Sequence, residues 1–266
     1  MKKRVISAIV MVAIFVPLLI LGNEAFAIFM TILSVAGLYE LIHVREKTKK
    51  FPSLVKVFAY ILVACFSVMN YQKNVFSYTV DYRVMAIIIF AFLLPILFTN
   101  KKESYTINDA LYMVGSLLFI ALSFNLVILV RNYDLNYLIY ILLITTMTDT
   151  FAFITGKYIG KHKLAPEISP NKTIEGLIGG VFMGTFIPTV FYFTVMNSHI
   201  SLVLLIFITA LLSIVGQLGD LVFSSIKRTY QVKDFSNLIP GHGGILDRFD
   251  SLVFTMLAFI LTVGII

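Results

Sequence analysis

The 266-residue chain has one cysteine, Cys65, set inside an apolar run. That excludes a disulfide framework and a cysteine zinc site, and a lone thiol in such a run reads as a small packing residue. Charge is scarce as well: Asp, Glu, Lys and Arg make up 13% of the residues, against 59% hydrophobic and a mean hydropathy of +0.94. An ordinary soluble domain is about 25% charged and about 45–50% apolar. The chain is therefore an integral membrane protein, and no aqueous domain of useful size fits between its apolar runs. A basic stripe is lacking too. The net charge of +7 comes from cations scattered over short loops, which argues against a nucleic-acid surface. The opening stretch, MKKRVISAIVMVAIFVPLLILGNEAF, imitates a signal peptide, but its run over 5–21 exceeds the ~7–15 residues of a signal core. No small-x-small cleavage site precedes Glu24, so the run reads as a retained first span.

Apolar windows fall at 5–21, 25–43, 54–70, 84–99, 107–130, 137–155, 177–196, 200–223 and 249–266. Most approach the ~20 residues that a helix needs to cross ~30 Å of hydrocarbon. The expected fold is an all-α, polytopic bundle of about nine transmembrane helices, although Lys56 interrupts the third window and Pro95 the fourth. Lys and Arg favour the cytoplasmic side of short loops. A cytoplasmic N-terminus puts Lys2, Lys3 and Arg4, Arg45, Lys47, Lys49 and Lys50, and Lys101 and Lys102 inside. Lys157, Lys161, Lys163 and Lys172, and Lys227, Arg228, Lys233 and Arg248 fall there too, leaving Lys73, Arg83 and Arg131 outside. The expected division is a scaffold over 1–136, facing lipid or an oligomer, and a catalytic part over 137–266 with cytoplasmic loops 156–176 and 224–248.

Three carboxylates lie in or at the ends of these runs: Asp149, Asp220 and Asp247. A charge inside a membrane helix costs at least ~2.5–3.5 kcal/mol and normally faces a cavity, a cation or a bundle partner. Three on one side suggest a shared aqueous cleft, although Thr145, Thr146 and Thr148 could satisfy Asp149 within the bundle. Oxygen donors without cysteine favour hard cations, and Mg²⁺ takes one or two protein carboxylates plus substrate phosphates. In DRFD, Asp247 and Asp250 are three residues apart on one helix face, so that one can hold a metal while the other supports it.

Between the last two windows stands PGHGG, Pro240 to Gly244. Glycines let backbone N–H groups turn around an anion, and the following helix offers its positive end. The plain alternative is a helix-leading turn. His242, with Lys227, Arg228, Lys233 and Arg248 around it, tips the reading to phosphate. SPNKTIEG, Ser169 to Gly176, repeats the theme with hydroxyl, amide, Lys172 and Glu175. It lacks the G-x-x-x-x-G-K frame, which excludes a P-loop. Either it is a helix cap with a solvated lysine, or it faces the other loop as a second phosphate grip. His43 and His199 read as interfacial and His162 as part of a solvated basic face. Gly156, Gly160 and the glycines of GLIGGVFMG read as close helix packing.

At these residues the chain resembles the phosphatidate cytidylyltransferase, or CDP-diacylglycerol synthase, family. The family's C-terminal pattern is matched from Ser224, Lys227 and Arg228 through Lys233, Asp234, Ser236 and Pro240 to His242, Gly243, Gly244, Asp247, Arg248 and Asp250. Gly219 and Asp220 and the SPNKTIEG stretch are similar too, so the likeness covers roughly 149–266. Members often carry Glu just before the first Ser, where this chain has Phe223.

The resemblance implies transfer of a cytidylyl group from CTP to phosphatidic acid, giving CDP-diacylglycerol and pyrophosphate. It implies Mg²⁺ on Asp220 and Asp247, with Asp149 as a further ligand position, and leaves a second cation and a homodimer open. Lys227, Arg228, Lys233 and Arg248 would offset phosphate charge, Asp250 would orient the metal ligands, and His242 would join the catalytic set. The substrate-binding set would be Ser169, Asn171, Lys172, Thr173, Glu175, Ser224, Gly243 and Gly244. CTP would come from the cytoplasm and phosphatidate from the surrounding lipids of the inner membrane. The rival readings are a related CTP-dependent membrane enzyme acting on another lipid phosphate or a polyprenol, and an ion-coupled transporter. A transporter predicts a midplane site and internal repeats, which the sequence does not display.

Overall fold

The computed structural model describes residues 2–73, 75, 81–98, 105–196 and 200–262. Among the described residues, each of the nine apolar windows falls largely on helix. In chain order these are α1 (Lys2–Leu21), α2 (Asn23–Arg45), α3 (Ser53–Val68), α4 (Tyr82–Leu93), α5 (Pro95–Phe98), α6 (Ile107–Tyr133), α7 (Leu135–Ile159), α8 (Ile174–Val195), α9 (Leu202–Thr229) and α10 (Leu246–Thr262). The fourth window is divided between α4 and α5 at Pro95, which lacks the N–H that would continue the helical ladder. Helices α1, α2, α6, α7, α8 and α9 are each long and apolar enough to cross a membrane, while α3 and α4–α5 are shorter apolar helices. The chain is an all-α polytopic membrane protein, with a single two-stranded sheet among its described residues: β1 (Lys163–Ala165) against β2 (Ser169–Thr173). Lys101, Lys102 and His199 lie outside the described residues.

The chain forms two compact units. The first comprises Met1–Tyr133 and Asp234–Asp247, and the second Asp134–Lys233 and Arg248–Ile266. In the first, Phe26, Met30 and Leu38 of α2, Val63 and Phe66 of α3, and Met113, Leu117 and Phe124 of α6 form the buried core. Several of its buried polar side chains are paired within the bundle, as groups removed from water tend to be. Ser67 donates to Ser34 at 2.8 Å, and Asn125 Nδ2 donates to the carbonyls of Ser67 and Met69, each at 2.9 Å. Arg131, in the last turn of α6, caps the C-terminus of α1 through the carbonyls of Leu19 and Ile20. Cys65 corrects an expectation: it sits exposed on the outer face of α3, where an apolar thiol can face lipid, while the neighbouring Phe66 takes the core.

In the second unit α7 and α8 approach closely because α8 presents glycine. A Cβ on Gly180 would stand 2.8 Å from Ala152 Cβ, and one on Gly184 would run into the Thr148 side chain. Thr148 and Ser213 share a hydrogen bond of 2.7 Å that joins α7 to α9, and Tyr140 and Thr209 share another of 2.7 Å. The packing role expected of the GLIGGVFMG glycines is what the structure displays. Phe223, the departure noted above, is fully buried and meets Phe254 of α10 edge-on at 6.0 Å. An apolar contact occupies the place where a Glu would otherwise stand.

Candidate active site

Within the second unit, the C-terminal part of α9 carries Asp220, Ser224, Lys227 and Arg228 at helical spacings of three and four, which puts them on one side of the helix. Ser224 donates to Asp220 Oδ1 at 3.3 Å. The other Asp220 oxygen, Oδ2, holds Lys172 Nζ at 2.6 Å. Lys172 reaches it because the segment before α8 folds back as the β1–β2 hairpin, with Lys163 paired to Thr173 and Ala165 to Ser169. Thr173 ends the hairpin and caps α8, its hydroxyl accepting from Gly176 N at 3.1 Å. The cap expected in SPNKTIEG is therefore present, but Lys172 is not simply solvated: it is in an ion pair.

Asp149 of α7 and Asp250 of α10 complete the cluster. Ser251 reaches Asp149 Oδ1 at 3.4 Å, and Asp250 Oδ1 accepts the Ser251 N–H at 2.8 Å. Asp250 is close enough to be repelled by both Asp220 and Asp149, with Lys227 as an attractive partner; Asp149 in turn feels Asp220 and Lys172. Three carboxyl groups thus stand near two ammonium groups. Among the described residues, no three metal-capable side chains are grouped as a ready-made metal centre.

The remaining cations are arranged differently. Arg228 uses Nε on the Ile168 carbonyl at 3.2 Å and Nη1 on the Val232 carbonyl at 3.1 Å, so it straps the hairpin turn to the end of α9. Lys233, Arg248 and Asn171 are exposed. Glu175 accepts from the N–H groups of Lys161 at 3.1 Å and His162 at 3.2 Å and pairs with His162 Nδ1 at 2.6 Å. Its carboxylate organises the start of the hairpin, and His162 is its partner as well as a solvated side chain.

The PGHGG turn belongs to the first unit. Gly241 and Gly243 have φ of 79° and 85°, a region that side chains with a Cβ rarely adopt. Ile239 N donates to Gly243 O and His242 N to Ile239 O, each at 2.9 Å, closing the turn. Asp247 Oδ2 accepts from Phe235 N at 3.0 Å and Gly244 N at 2.9 Å. His242 Nδ1 lies 2.7 Å from Ser7 Oγ of α1, which also contacts the Pro240 carbonyl at 3.0 Å. The N–H groups of Gly244, Ile245 and Leu246, read from sequence as anion donors, do face anions, but these are the protein's own Asp247 and Glu40.

Glu40 and Ser7 escaped the sequence reading. Glu40 was legible in principle as a carboxylate inside the window 25–43, where an ionisable residue marks a partner or a function. Ser7 carried no such signal. Asp109, also missed, is a structural anion of the first unit: it pairs with Arg45 at 3.0 Å and Lys49 at 2.5 Å and accepts from Thr106 N at 3.0 Å. The groove of about 660 Å³ lined by Pro52, Phe58, Ile87, Phe90 and Phe98 among others is apolar and offers nothing to a phosphate.

Fold and site together define a polytopic membrane protein with carboxyl groups and lysines gathered at the end of α9. The cytidylyltransferase family profile matches residues 2–266, essentially the whole chain, and the chain belongs to that family. It is 36% identical over 257 residues to the phosphatidate cytidylyltransferase of Staphylococcus haemolyticus, covering 96% of each chain. The proteins of the same name from Staphylococcus saprophyticus and Staphylococcus aureus strain COL are 35% and 36% identical, again over 96% of each chain.

Proposed function

We propose that this chain is a phosphatidate cytidylyltransferase: it transfers the cytidylyl group of CTP to phosphatidic acid, giving CDP-diacylglycerol and pyrophosphate. The observation that carries the reading is the near-full-length similarity to relatives of that name. The motif residues on α9, α10, the hairpin and the turn supply the chemistry to go with it. A phosphate oxygen of the lipid attacks the α-phosphorus of CTP, the bond from that phosphorus to the β-phosphate bridging oxygen breaks, and pyrophosphate leaves. The attacking phosphate is ionised at neutral pH, its second pKa being ~6, so no strong general base is needed. The difficulty is bringing two polyanions together.

The donor set of hard oxygens in the second unit fits Mg²⁺, of which Asp220 would be the first ligand and Asp149 a further one, with Asp250 orienting them; Asp247, read from the sequence as a ligand, accepts two backbone N–H groups of the turn in the first unit. When bound, the ion supplies charge neutralisation at the phosphoryl oxygens. Lys172 exchanges its partner Asp220 for the triphosphate, and Lys227 with Lys233 and Arg248 offsets charge on the attacking and leaving groups. Ser224 steadies Asp220, and Arg228, Thr173 and Glu175 hold the hairpin that presents Lys172, Ser169 and Asn171 to the nucleotide. The Gly243–Gly244 turn sets the position of His242 for the phosphates. The excess of Lys and Arg on one set of loops assigns this face to the cytoplasm, where CTP is found. The helices of 1–133 are the scaffold of the 234–247 segment, which belongs to their unit, and 134–233 with 248–266 carry the carboxylates Asp149, Asp220 and Asp250.

Detergent-purified protein supplied with CTP, Mg²⁺ and either phosphatidate, a polyprenyl phosphate or no lipid tests the reading. Lipid-linked cytidylate and an equal amount of pyrophosphate with phosphatidate support it. Product with the polyprenyl phosphate alone moves the chain to another branch of the family's chemistry.

A further inference from the structure

We infer that Glu40, in α2, is a positioning residue that holds the Pro240–Gly244 turn and the start of α10 in place for the nucleotide. The inference rests on the reading above that this turn serves CTP. Glu40 is completely buried. Its Oε1 accepts from Ser236 Oγ at 2.6 Å and from Ile245 N at 2.8 Å, and its Oε2 accepts from Leu246 N at 2.8 Å. Three donors from a segment about two hundred residues away in sequence therefore converge on one carboxylate. Two of them are the first N–H groups of a helix, which no intrahelical carbonyl can satisfy.

The fit is close on both sides. A Cβ on Gly244 would stand 2.5 Å from Glu40 Oε1, so the second glycine of the pair makes room for this carboxylate. One turn earlier on the same face of α2, a Cβ on Gly37 would stand 3.0 Å from the Leu246 side chain, which is itself fully buried. Asp247 takes the next N–H, that of Gly244, and Ser7 touches His242 and Pro240. The turn is thereby fixed at Ser236, at His242 and at Ile245–Leu246, and the first two helices supply all three anchors through Ser7 and Glu40. The N-terminal helices thereby have a direct part in shaping the turn.

A carboxylate suits the position and an amide does not. Both Glu40 oxygens face donors, so a Gln would turn its NH₂ toward an N–H or a hydroxyl and leave at least one of them without an acceptor. Loosening the turn weakens the hold on the triphosphate in ground and transition states alike, which raises KM more than it lowers kcat.

The test uses the full-length protein in detergent as wild type, Glu40→Gln, Glu40→Asp and Ser236→Ala. Amide hydrogen exchange is followed over 234–247 alongside kcat and KM for CTP. Losing charge-assisted bonds of this kind is worth roughly tenfold or more. For Glu40→Gln, exchange at Ile245 and Leu246 should rise by about that factor. KM for CTP should rise similarly with kcat changed less, and Glu40→Asp should recover part of both. Ser236→Ala, which removes one donor of three, should shift both measurements in the same direction by less, and it decides the matter if Glu40→Gln does not fold. Unchanged exchange over 234–247, or raised exchange with KM for CTP unaltered, overturns the inference. A wild type that makes no lipid-linked cytidylate overturns the functional reading instead, and the exchange measurement then decides the anchoring by itself.

Discussion

Lys172 Nζ lies 2.6 Å from Asp220 Oδ2, joining strand β2 to helix α9. Each partner is about a quarter exposed, at 25% and 28%, so the pair stands at the edge of water where a nucleotide can compete for the lysine. An ion pair so placed adds little to stability. On the function proposed above, its significance is that a cation is held ready beside the carboxylate assigned to the metal.

Replacing that lysine therefore separates stability from activity. Lys172→Met should leave the melting temperature within a few degrees of wild type and raise KM for CTP by about 10–100-fold, the worth of one or two hydrogen bonds to a charged group. Thermal melts in detergent and steady-state kinetics check it. A large loss of stability with unchanged KM would make Lys172 structural.

Removal of divalent metal should abolish turnover, and Mg²⁺ should restore it, since the carboxylates need a counter-ion to accept a triphosphate. Asp250→Asn keeps the shape of the cluster but removes one charge. Loss of such a supporting group typically costs about 10–100-fold in metal affinity, so the Mg²⁺ concentration for half-maximal rate should rise by that order. A Mg²⁺ titration superimposable on that of wild type would remove Asp250 from the site.

The glycines of α8 predict opposite outcomes from those of α6. Gly180→Val forces Cβ into Ala152 and Thr148, and overpacking of this kind costs about 1–3 kcal/mol or more. Gly115, in α6, has nothing within 4 Å of the place a Cβ would take, so Gly115→Ala should be neutral or stabilising by up to about 1 kcal/mol. Thermal melting of the two variants side by side is sufficient, and equal behaviour would contradict the packing described for α7 and α8.

Asp109→Asn removes the charge that Arg45 and Lys49 share, with its side chain only 2% exposed. Breaking a buried pair from one side costs about 3–5 kcal/mol, and the partly exposed lysine and arginine lower that figure toward about 1–3 kcal/mol. The melting temperature should fall while the Mg²⁺ requirement of whatever protein remains folded stays the same. A changed metal requirement would mean that Asp109 belongs to the site.

Much of this was readable from residue order because hydrocarbon imposes a simple rule: every apolar window long enough to cross had to be helix, and among the described residues each window largely is. Asp220, Lys227 and Asp250 stood out for a related reason, since charges are expensive next to lipid and short motifs kept them on identifiable helices, and Lys172 stood out through its own motif, which folds as strand β2. The partners were not. That Lys172 pairs with Asp220 depends on a hairpin fixing β2 beside α9, and nothing in SPNKTIEG specifies that approach. The turn was read as offering its N–H groups outward, yet Gly244, Ile245 and Leu246 give theirs to Asp247 and Glu40. Local sequence reveals which donors a turn has, and only long-range packing decides which acceptor reaches them first. Glu40 itself lay in plain view as a carboxylate in an apolar window, but its partners stand about two hundred positions further along the chain.

The most direct test of the central claim, that the α9 carboxylate serves cytidylyl transfer to a lipid phosphate, follows the radiolabel of CTP in purified wild-type and Asp220→Asn protein with phosphatidate and Mg²⁺. Label at the α-phosphate should pass into solvent-extractable lipid, and label at the γ-phosphate should leave as pyrophosphate. Asp220→Asn, folded by its melting profile, should lower the transfer at least about a thousandfold, the scale of losing a principal charge at a phosphoryl-transfer centre. Transfer by Asp220→Asn at the wild-type rate, or γ-label appearing in the lipid, would contradict it.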